Sequence, residues 1–229
     1  MIREFPGVTL HRGDCLDVMR SIEAGSVDAV VTDPPYNEVN RVGDGLRGFD
    51  KGVADSAPVD IPGLAAEFAR IASGSIYVWC GIEQVSRWRA EFVGLGLTTR
   101  ACVWIKSNPS PVNGEKLWLS GLELCVFARK PKAYFDRFCK VPAWTGPSHR
   151  VSGHPTPKPV WLMREIVEAS VPPGGTVLDP FIGSGTTALA ALNTGRKCIG
   201  IERDEGYFGI ACSRVTEALD KTALFHPIA

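Results

Sequence analysis

The stretch Val27-Asp28-Ala29-Val30-Val31-Thr32-Asp33-Pro34-Pro35-Tyr36 is a short apolar run that ends abruptly in Asp-Pro-Pro-Tyr. Its length and β-branched residues are typical of a strand buried on both faces of a parallel α/β sheet. Neither proline can donate to a sheet ladder, so the strand stops and the carbonyls of Asp33 and Pro34 are left free. Because open α/β sheets bind ligands at the carboxyl ends of their strands, this corner predicts a ligand site.

The chemistry of the corner suits a flat ring that bears an amino group. The Asp33 carboxylate and the Pro34 carbonyl can each accept one N–H, and Tyr36 can stack on the ring face. The plainer alternative is a strand that leaves through a proline-rich turn, with Tyr36 filling space.

A second informative stretch covers residues 176–187, Thr-Val-Leu-Asp-Pro-Phe-Ile-Gly-Ser-Gly-Thr-Thr. A strand ending at Asp179, a glycine loop, a helix and a further strand ending at Glu202 form the nucleoside-binding half of a doubly wound sheet. Gly183 and Gly185 allow close backbone approach, and Glu202 can accept both ribose hydroxyls. A plain tight turn is the alternative. We expect this loop and the Asp33 corner to be neighbours in the folded chain.

The remaining pattern predicts one α/β domain spanning residues 1–229, a length and a 45% hydrophobic content that allow a substantial core. Apolar runs predict seven strands, and helical spacing over 61–73 predicts a helix that Gly74 ends. No useful helix separates the strands near 100–105 and 121–128, which indicates an antiparallel pair at one edge. The aperiodic residues 37–60 predict a mobile flap over the site.

Charge is balanced over the whole chain, with 25 basic and 25 acidic residues, but one interval is strongly basic. Residues 129–158 contain seven basic residues against one acid, and aromatic residues are interleaved with them. This pattern favours a surface that grips phosphates and stacks bases, although a solvated loop is the alternative. The basic residues are Arg129, Lys130, Lys132, Arg137, Lys140, Arg150 and Lys158.

Two further features limit the class of protein. The sequence has no long apolar span and no signal-peptide pattern, so we expect a cytoplasmic protein without a membrane segment. Its seven cysteines form no C-x-x-C pair and therefore indicate neither a metal site nor a redox pair.

The sequence His154-Pro-Thr-Pro-Lys-Pro159 predicts the start of a helix that runs to about residue 170. Thr156 is a suitable cap, and prolines are tolerated in the first turn. A helix start attracts a carboxylate, and Lys158 would reinforce that attraction. A simple helix start with a solvated lysine is the alternative.

Taken together, these motifs resemble the amino-methylating DNA methyltransferases of bacteria and phages. Their order is that of the permuted β group, in which the catalytic tetrapeptide precedes the cofactor loop. The motifs are Gly13-Asp-Cys15, Asp33-Pro-Pro-Tyr36, Trp104-x-Lys106, the 154–159 segment and Asp179-Pro-Phe-x-Gly-x-Gly-Thr-Thr187.

The resemblance implies a class I methyltransferase fold, S-adenosylmethionine as cofactor and double-stranded DNA as substrate, as in restriction-modification systems. It implies a mostly parallel seven-stranded sheet and makes a homodimer one expected assembly. The basic interval at about 129–153 takes the place of the target-recognition region and is unusually short. Lys106 is assigned to the same DNA-binding set. The implied cofactor contacts are Asp14, Cys15, Asp33, Thr156, Lys158, Asp179, Pro180, Phe181, Gly183, Ser184, Gly185, Thr186, Glu202 and Arg203.

The implied reaction is methylation of the exocyclic amine of a base flipped out of the duplex. Asp33, Pro34, Pro35 and Tyr36 are the implied catalytic residues. Asp at the first tetrapeptide position is more typical of adenine N6 than of cytosine N4, so adenine is the expected target. Methylation at cytosine C5 is discounted because the chain has no Pro-Cys pair.

Three alternatives remain at this point. An RNA or protein amide methyltransferase could use the same site, and a dinucleotide-dependent oxidoreductase could use the Gly-x-Gly loop. A DNA-binding module without activity is the third.

Overall fold

A computed structural model describes residues 1–36, 59–111, 114–149 and 157–225. The strands in these residues are β1 (Ile2–Phe5), β2 (Val8–Arg12), β3 (Val27–Thr32), β4 (Ala72–Cys80), β5 (Thr98–Lys106), β6 (Leu122–Arg129), β7 (Ala143–Gly146), β8 (Thr176–Asp179) and β9 (Lys197–Glu202). The helices are α1 (Cys15–Arg20), α2 (Ile61–Ile71), α3 (Val85–Gly94), α4 (Val160–Ser170), α5 (Thr186–Asn193) and α6 (Glu205–Phe225).

All nine strands of the described residues form one sheet in the order β1-β2-β9-β8-β3-β4-β6-β5-β7. Only β1 and β6 run against the others, so seven strands have their carboxyl ends at the same edge of the sheet. We call this edge the carboxyl rim. The mostly parallel α/β sheet is as predicted.

The predicted count of seven strands is too low by two. The missed strands, β1 and β7, are four residues long and lie at the two edges of the sheet. Such short segments have too little alternation to be recognised in a sequence. Because β7 pairs with β5, the expected antiparallel pair β5–β6 lies one strand in from the edge.

Helices cover both faces of the sheet, as a doubly wound fold requires. β3 shows the reason, because its successive side chains point to opposite faces. Ala29 and Val31 pack in a core with residues of α4, α5 and α6. Val30 packs on the other face with residues of α1, α2 and α3.

Two helix boundaries differ from the predictions. α2 ends at Ile71, and Gly74 lies within β4, where a Cβ would come within 2.5 Å of the Asp28 carbonyl oxygen. This glycine is therefore needed for close strand packing and does not end the helix. α4 begins at Val160, with Pro159 as a cap that makes no side-chain hydrogen bond. The predicted cap Thr156 and most of the 37–60 flap lie outside the described residues.

In the described part of the chain, no helix combines the length and the apolar character needed to cross a membrane.

Candidate functional site

The two sequence stretches that predicted a site are adjacent at the carboxyl rim. β3 ends at Thr32 and pairs directly with β8, which ends at Asp179. The Thr32 hydroxyl donates a buried 2.9 Å hydrogen bond to Asp179 Oδ1. The expectation that the Asp33 corner and the glycine loop are neighbours is confirmed by this contact.

The Asp33 carboxylate is held by two side chains. Lys158 Nζ donates to Asp33 Oδ2, and the Tyr36 hydroxyl donates to Oδ1 over 2.6 Å. Lys158 also lies 3.3 Å from the Tyr36 oxygen, and its ammonium is 5.5 Å from the centre of the Trp79 ring. Each carboxylate oxygen keeps a further lone pair, so Asp33 can still accept a hydrogen bond from a substrate.

Glu123, near the start of β6, completes this cluster. Its Oε2 lies 3.0 Å from Lys158 Nζ, and its Oε1 lies 2.5 Å from Lys106 Nζ. Burial opposes ionisation of Glu123, but the charges of Lys158 and Lys106 outweigh it and lower its pKa to about 2. The four side chains carry two positive and two negative charges. We call Asp33, Lys158, Glu123 and Lys106 the charge quartet.

Lys158 is buried, with 8% of its surface exposed, yet it stays protonated. Burial alone would lower its pKa, but the carboxylates of Asp33 and Glu123 hold that pKa above the usual lysine range. Its ammonium donates to Asp33 and to the Tyr36 oxygen and is ion-paired with Glu123. Lys158 is therefore a fixed cation at this site and cannot act as a base.

Asp179 ties the glycine loop to the sheet. Its Oδ2 accepts a 2.6 Å hydrogen bond from the Thr187 hydroxyl, and its Oδ1 accepts one from the Phe181 amide at 3.1 Å. Burial raises the pKa of Asp179 to about 7, although these hydrogen bonds favour the charged form. Both oxygens bond to the protein and the side chain is buried, so the structure gives Asp179 a part in shaping the loop.

The glycine loop is connected to β9 by Glu202. Glu202 Oε2 accepts from the Gly183 amide at 3.0 Å, and Oε1 accepts from the Asp204 amide at 2.8 Å. Burial raises the pKa of this carboxyl. Gly185 has φ +84°, and a Cβ there would come within 3.2 Å of Ala211, so the turn requires glycine.

The end of β2 lies beside the end of β9. The Gly13 amide donates to the Glu202 carbonyl over 3.0 Å, and Asp14 caps α1 by accepting from the Leu16 amide over 2.9 Å. Cys15, the first residue of α1, is partly buried, and burial raises its pKa to about 12. It is therefore a neutral, apolar neighbour for a ligand at Glu202.

The other predicted cofactor residues lie around the same loop. Ser184 is buried and accepts a 3.0 Å hydrogen bond from Arg214 of α6, while Thr186 begins α5. Arg203 is exposed just after β9, and Pro180 follows β8 directly. Thr156 is not among the described residues.

Apart from Lys158, the described basic residues of the predicted interval do not lie together at the site. In the antiparallel pairing of β4 with β6, Arg129 lies opposite Ser75, near the start of β4. This is the edge of the sheet opposite the carboxyl rim. Lys130 follows it there, with its amide bonded to the Gly74 carbonyl. From Ser75 to Cys80 the strand rises about 17 Å, so these charges are far from Asp33.

The other described basic residues that precede β7 are either exposed or paired with an acid of α4. Lys132 is exposed shortly after β6, and Arg137 pairs with Glu168 at 3.1 Å near the end of α4. Lys140 is exposed in the loop before β7, and Arg150 lies outside the described residues. Lys106 does lie at the carboxyl rim, but its ammonium is paired with Glu123.

The residues at the carboxyl rim fit a nucleoside cofactor. A strand–glycine turn–helix unit leaves room for close backbone approach, and the Glu202 carboxylate at the end of the next strand suits ribose hydroxyls. Cys15, which is neutral and partly buried at the start of α1, offers an apolar surface that suits a purine ring. With a partly buried, anchored carboxylate at Asp33 beside this loop, the fold and site define an S-adenosylmethionine-dependent methyltransferase.

Comparison with known proteins identifies the family. A model of the DNA methylase family, the N6/N4 methyltransferases, matches residues 78–213. The chain belongs to this family of amino-methylating DNA methyltransferases, and its cofactor is S-adenosylmethionine. Membership favours methyl transfer to DNA over the oxidoreductase and the RNA or protein alternatives.

Relatives and solved structures agree with this assignment. The Type II methyltransferase M2.LlaDCHI of Lactococcus lactis subsp. cremoris is 28% identical, over 91% of this chain and 89% of that protein. The crystal structure of the M1.HpyAVI–SAM complex is 26% identical, with a TM-score of 0.73 over 91% of this chain and 98% of that one. The cytosine-N4-specific PvuII DNA methyltransferase shares the fold at 17% identity, with a TM-score of 0.72 over 94% and 92% of the chains.

Sequence reasoning missed Glu123 altogether and placed Lys158 at a helix start, near the cofactor carboxylate rather than on Asp33 and Glu123. A signal for Glu123 was present, because it is the one acid in the apolar run Leu-Glu-Leu-Cys-Val-Phe-Ala of residues 122–128. A lone acid in such a strand needs a buried partner. The partner itself, Lys158, follows 35 residues later and could not be read from the spacing.

Proposed function

We propose that this DNA methyltransferase methylates the N6 amine of adenine, presented as a base flipped out of double-stranded DNA. The observation that carries the proposal is the fixed Asp33 carboxylate beside the glycine loop. Asp in this position is, by family resemblance, more typical of adenine N6 than of cytosine N4.

The role of Asp33 follows from the chemistry of an exocyclic amine, whose lone pair is delocalised into the ring. Hydrogen bonds from the amine to the Asp33 carboxylate and the Pro34 carbonyl favour a pyramidal nitrogen with an available lone pair. S-adenosylmethionine supplies a methyl group activated by a sulfonium centre. As positive charge develops on the amine nitrogen, the anionic Asp33 stabilises it, and this stabilisation is already organised before the reaction.

Tyr36 has two proposed functions. Its hydroxyl orients Asp33, and its ring supplies a stacking face for the extruded base. Pro35 keeps the preceding Pro34 extended, because a residue before proline avoids helical geometry.

We further propose that Glu202 binds the cofactor ribose, with Gly183, Gly185 and Phe181 beside the sugar and methionine portions. Asp14 and Cys15 lie on the adenine side in this arrangement. Its support is the contact between the end of β2 and the end of β9, which puts both groups along one part of the rim.

The test is identification of the methylated base. The chain is expressed in a methylation-free host, and its DNA is sequenced with single-molecule modification detection and digested for mass spectrometry of nucleosides. We expect N6-methyladenine in a defined sequence context. N4-methylcytosine in its place would overturn the adenine assignment and leave the amino-methyltransferase class intact.

The matched control for this experiment is Asp33→Ala. It should lose on the order of 3 kcal/mol of transition-state stabilisation, roughly a hundredfold in kcat, because one preorganised electrostatic contact is removed. Cofactor affinity, measured by calorimetry, should remain near the wild-type value. Unchanged turnover in this variant would refute the role of Asp33.

A further inference from the structure

An exposed aromatic segment lies at the carboxyl rim, outside the residues assigned so far. It comprises residues 114–121, and we call it the tryptophan segment. Trp118 at its tip is 100% exposed, and Leu117 and Leu119 beside it are 48% and 43% exposed. Large apolar side chains grouped in this way mark an interaction site more often than chance exposure does.

The tryptophan segment is fixed to the catalytic part of the rim. It leads directly into β6, and the Lys106 amide at the end of β5 donates to the Gly121 carbonyl over 2.7 Å. A second 2.7 Å hydrogen bond, from the Gly121 amide to the Leu119 carbonyl, tightens its return into β6. Both anchoring strands carry members of the charge quartet, so the segment projects from the framework that holds Asp33.

Its distance from the site is set by the chain. Trp118 precedes Glu123 by five residues, which span at most about 18 Å even when fully extended. Glu123 in turn contacts Lys158, which holds Asp33. A DNA duplex advances about 3.4 Å per nucleotide of each strand, so about five base pairs span the distance from Trp118 to Glu123. A duplex of ordinary target length that delivers a base to Asp33 can therefore also reach Trp118 on the same rim.

We propose that Trp118 contacts the substrate duplex and inserts its ring beside the extruded base. Extrusion leaves a gap in the base stack, and a projecting planar side chain fills such a gap by stacking. Lys116, also exposed in this segment, is available for the adjacent phosphates. The predicted basic residues Arg129 and Lys130 cannot serve this purpose, because they lie at the opposite edge of the sheet.

A partner protein copy fits the segment less well. A standard interface buries roughly 800 Å² on each partner, and Trp118 contributes at most about 250 Å². One projecting ring on a narrow segment is better matched to insertion than to a broad contact. The proposal holds for either methylated base, since both must leave the stack to reach Asp33.

The chain offers a matched control for testing this surface. Phe138 is 93% exposed, comparable with Trp118, but it lies near the end of α4, where Asp136 bonds to the Ala169 carbonyl. It is also in the interval for which the sequence predicted DNA contacts. Trp118→Ala and Phe138→Ala thus compare the two surfaces with similar loss of exposed aromatic area and little risk to folding.

The experiment measures kcat/KM for a duplex that carries the sequence context found by modification sequencing. We expect Trp118→Ala to lose tenfold or more, Trp118→Phe to stay within about threefold, and Phe138→Ala to stay within twofold. Cofactor affinity should be the same in all four proteins. The difference in acrylamide quenching of tryptophan fluorescence between wild type and Trp118→Phe reports the exposure of Trp118. This difference should decrease when the duplex is added.

Three outcomes would overturn the proposal. One is wild-type kcat/KM for Trp118→Ala, and another is an equal loss in Phe138→Ala. The third is a dimeric wild-type protein that becomes monomeric in Trp118→Ala while its affinity for the duplex is unchanged, because Trp118 would then serve self-association.

Discussion

Replacement of Glu123 by Gln tests whether the charge quartet stabilises the fold. Glu123 has a pKa of about 2, against an ordinary value of 4.5, because Lys158 and Lys106 favour its charged form despite burial. This difference corresponds to about 3 kcal/mol of unfolding free energy at neutral pH. Since the folded-state pKa is the lower one, the contribution is complete above pH 4.5 and is lost as the pH falls toward 2.

The measurement is urea unfolding of wild type and Glu123→Gln at pH 7 and at several values down to pH 3. We expect the variant to be less stable by about 3 kcal/mol at pH 7, and the difference to fall to less than half by pH 3. Asp17→Asn is the control, since Asp17 pairs with Arg20 on the surface at 2.8 Å with both side chains more than 70% exposed. It should cost at most about 0.5 kcal/mol. A difference of that size for Glu123→Gln, or one independent of pH, would refute the reasoning.

Two further substitutions test the separate roles of the rim. Glu202→Ala should weaken S-adenosylmethionine binding by about tenfold or more in calorimetry. The control is Glu205→Ala, at an exposed neighbouring acid, which should leave the affinity unchanged. A normal affinity in Glu202→Ala would contradict the ribose assignment. Lys158→Met removes the ammonium that holds the Asp33 carboxylate, while Lys106 still pairs with Glu123. Its kcat should therefore fall by about tenfold or more, because the Asp33 carboxylate loses the donor that fixes its position, and an unchanged kcat would contradict a positioning role for Lys158.

The parts of the fold that the sequence predicted well are those with strong local signals. The buried strand that ends at Asp33 and the strand–glycine turn–helix unit at Gly183 are each complete within about a dozen residues. Their adjacency was also predictable, because ligands gather at the carboxyl ends of parallel strands. The Thr32–Asp179 hydrogen bond gives that adjacency a definite contact.

The parts that sequence could not predict depend on strand direction and on distant pairing. The excess of positive charge after Arg129 is real, but β6 is antiparallel and delivers it to the far edge of the sheet. The same reversal brings Glu123 to the carboxyl rim, where it meets Lys158. One inverted strand thus accounts both for the distance of Arg129 and Lys130 from Asp33 and for the acid that sequence reasoning missed.

The side-by-side placement of β3 and β8 also limits how this enzyme can be re-engineered. The Asp33 corner and the glycine loop share the Thr32–Asp179 hydrogen bond, so grafting either of them from another protein would disturb its neighbour. The tryptophan segment is attached at its return into β6, where the Gly121 carbonyl accepts a hydrogen bond from the Lys106 amide of β5. A designer could therefore exchange this segment by itself. The exchange would alter the surface exposed at the carboxyl rim and leave the Asp33 corner and the glycine loop in place.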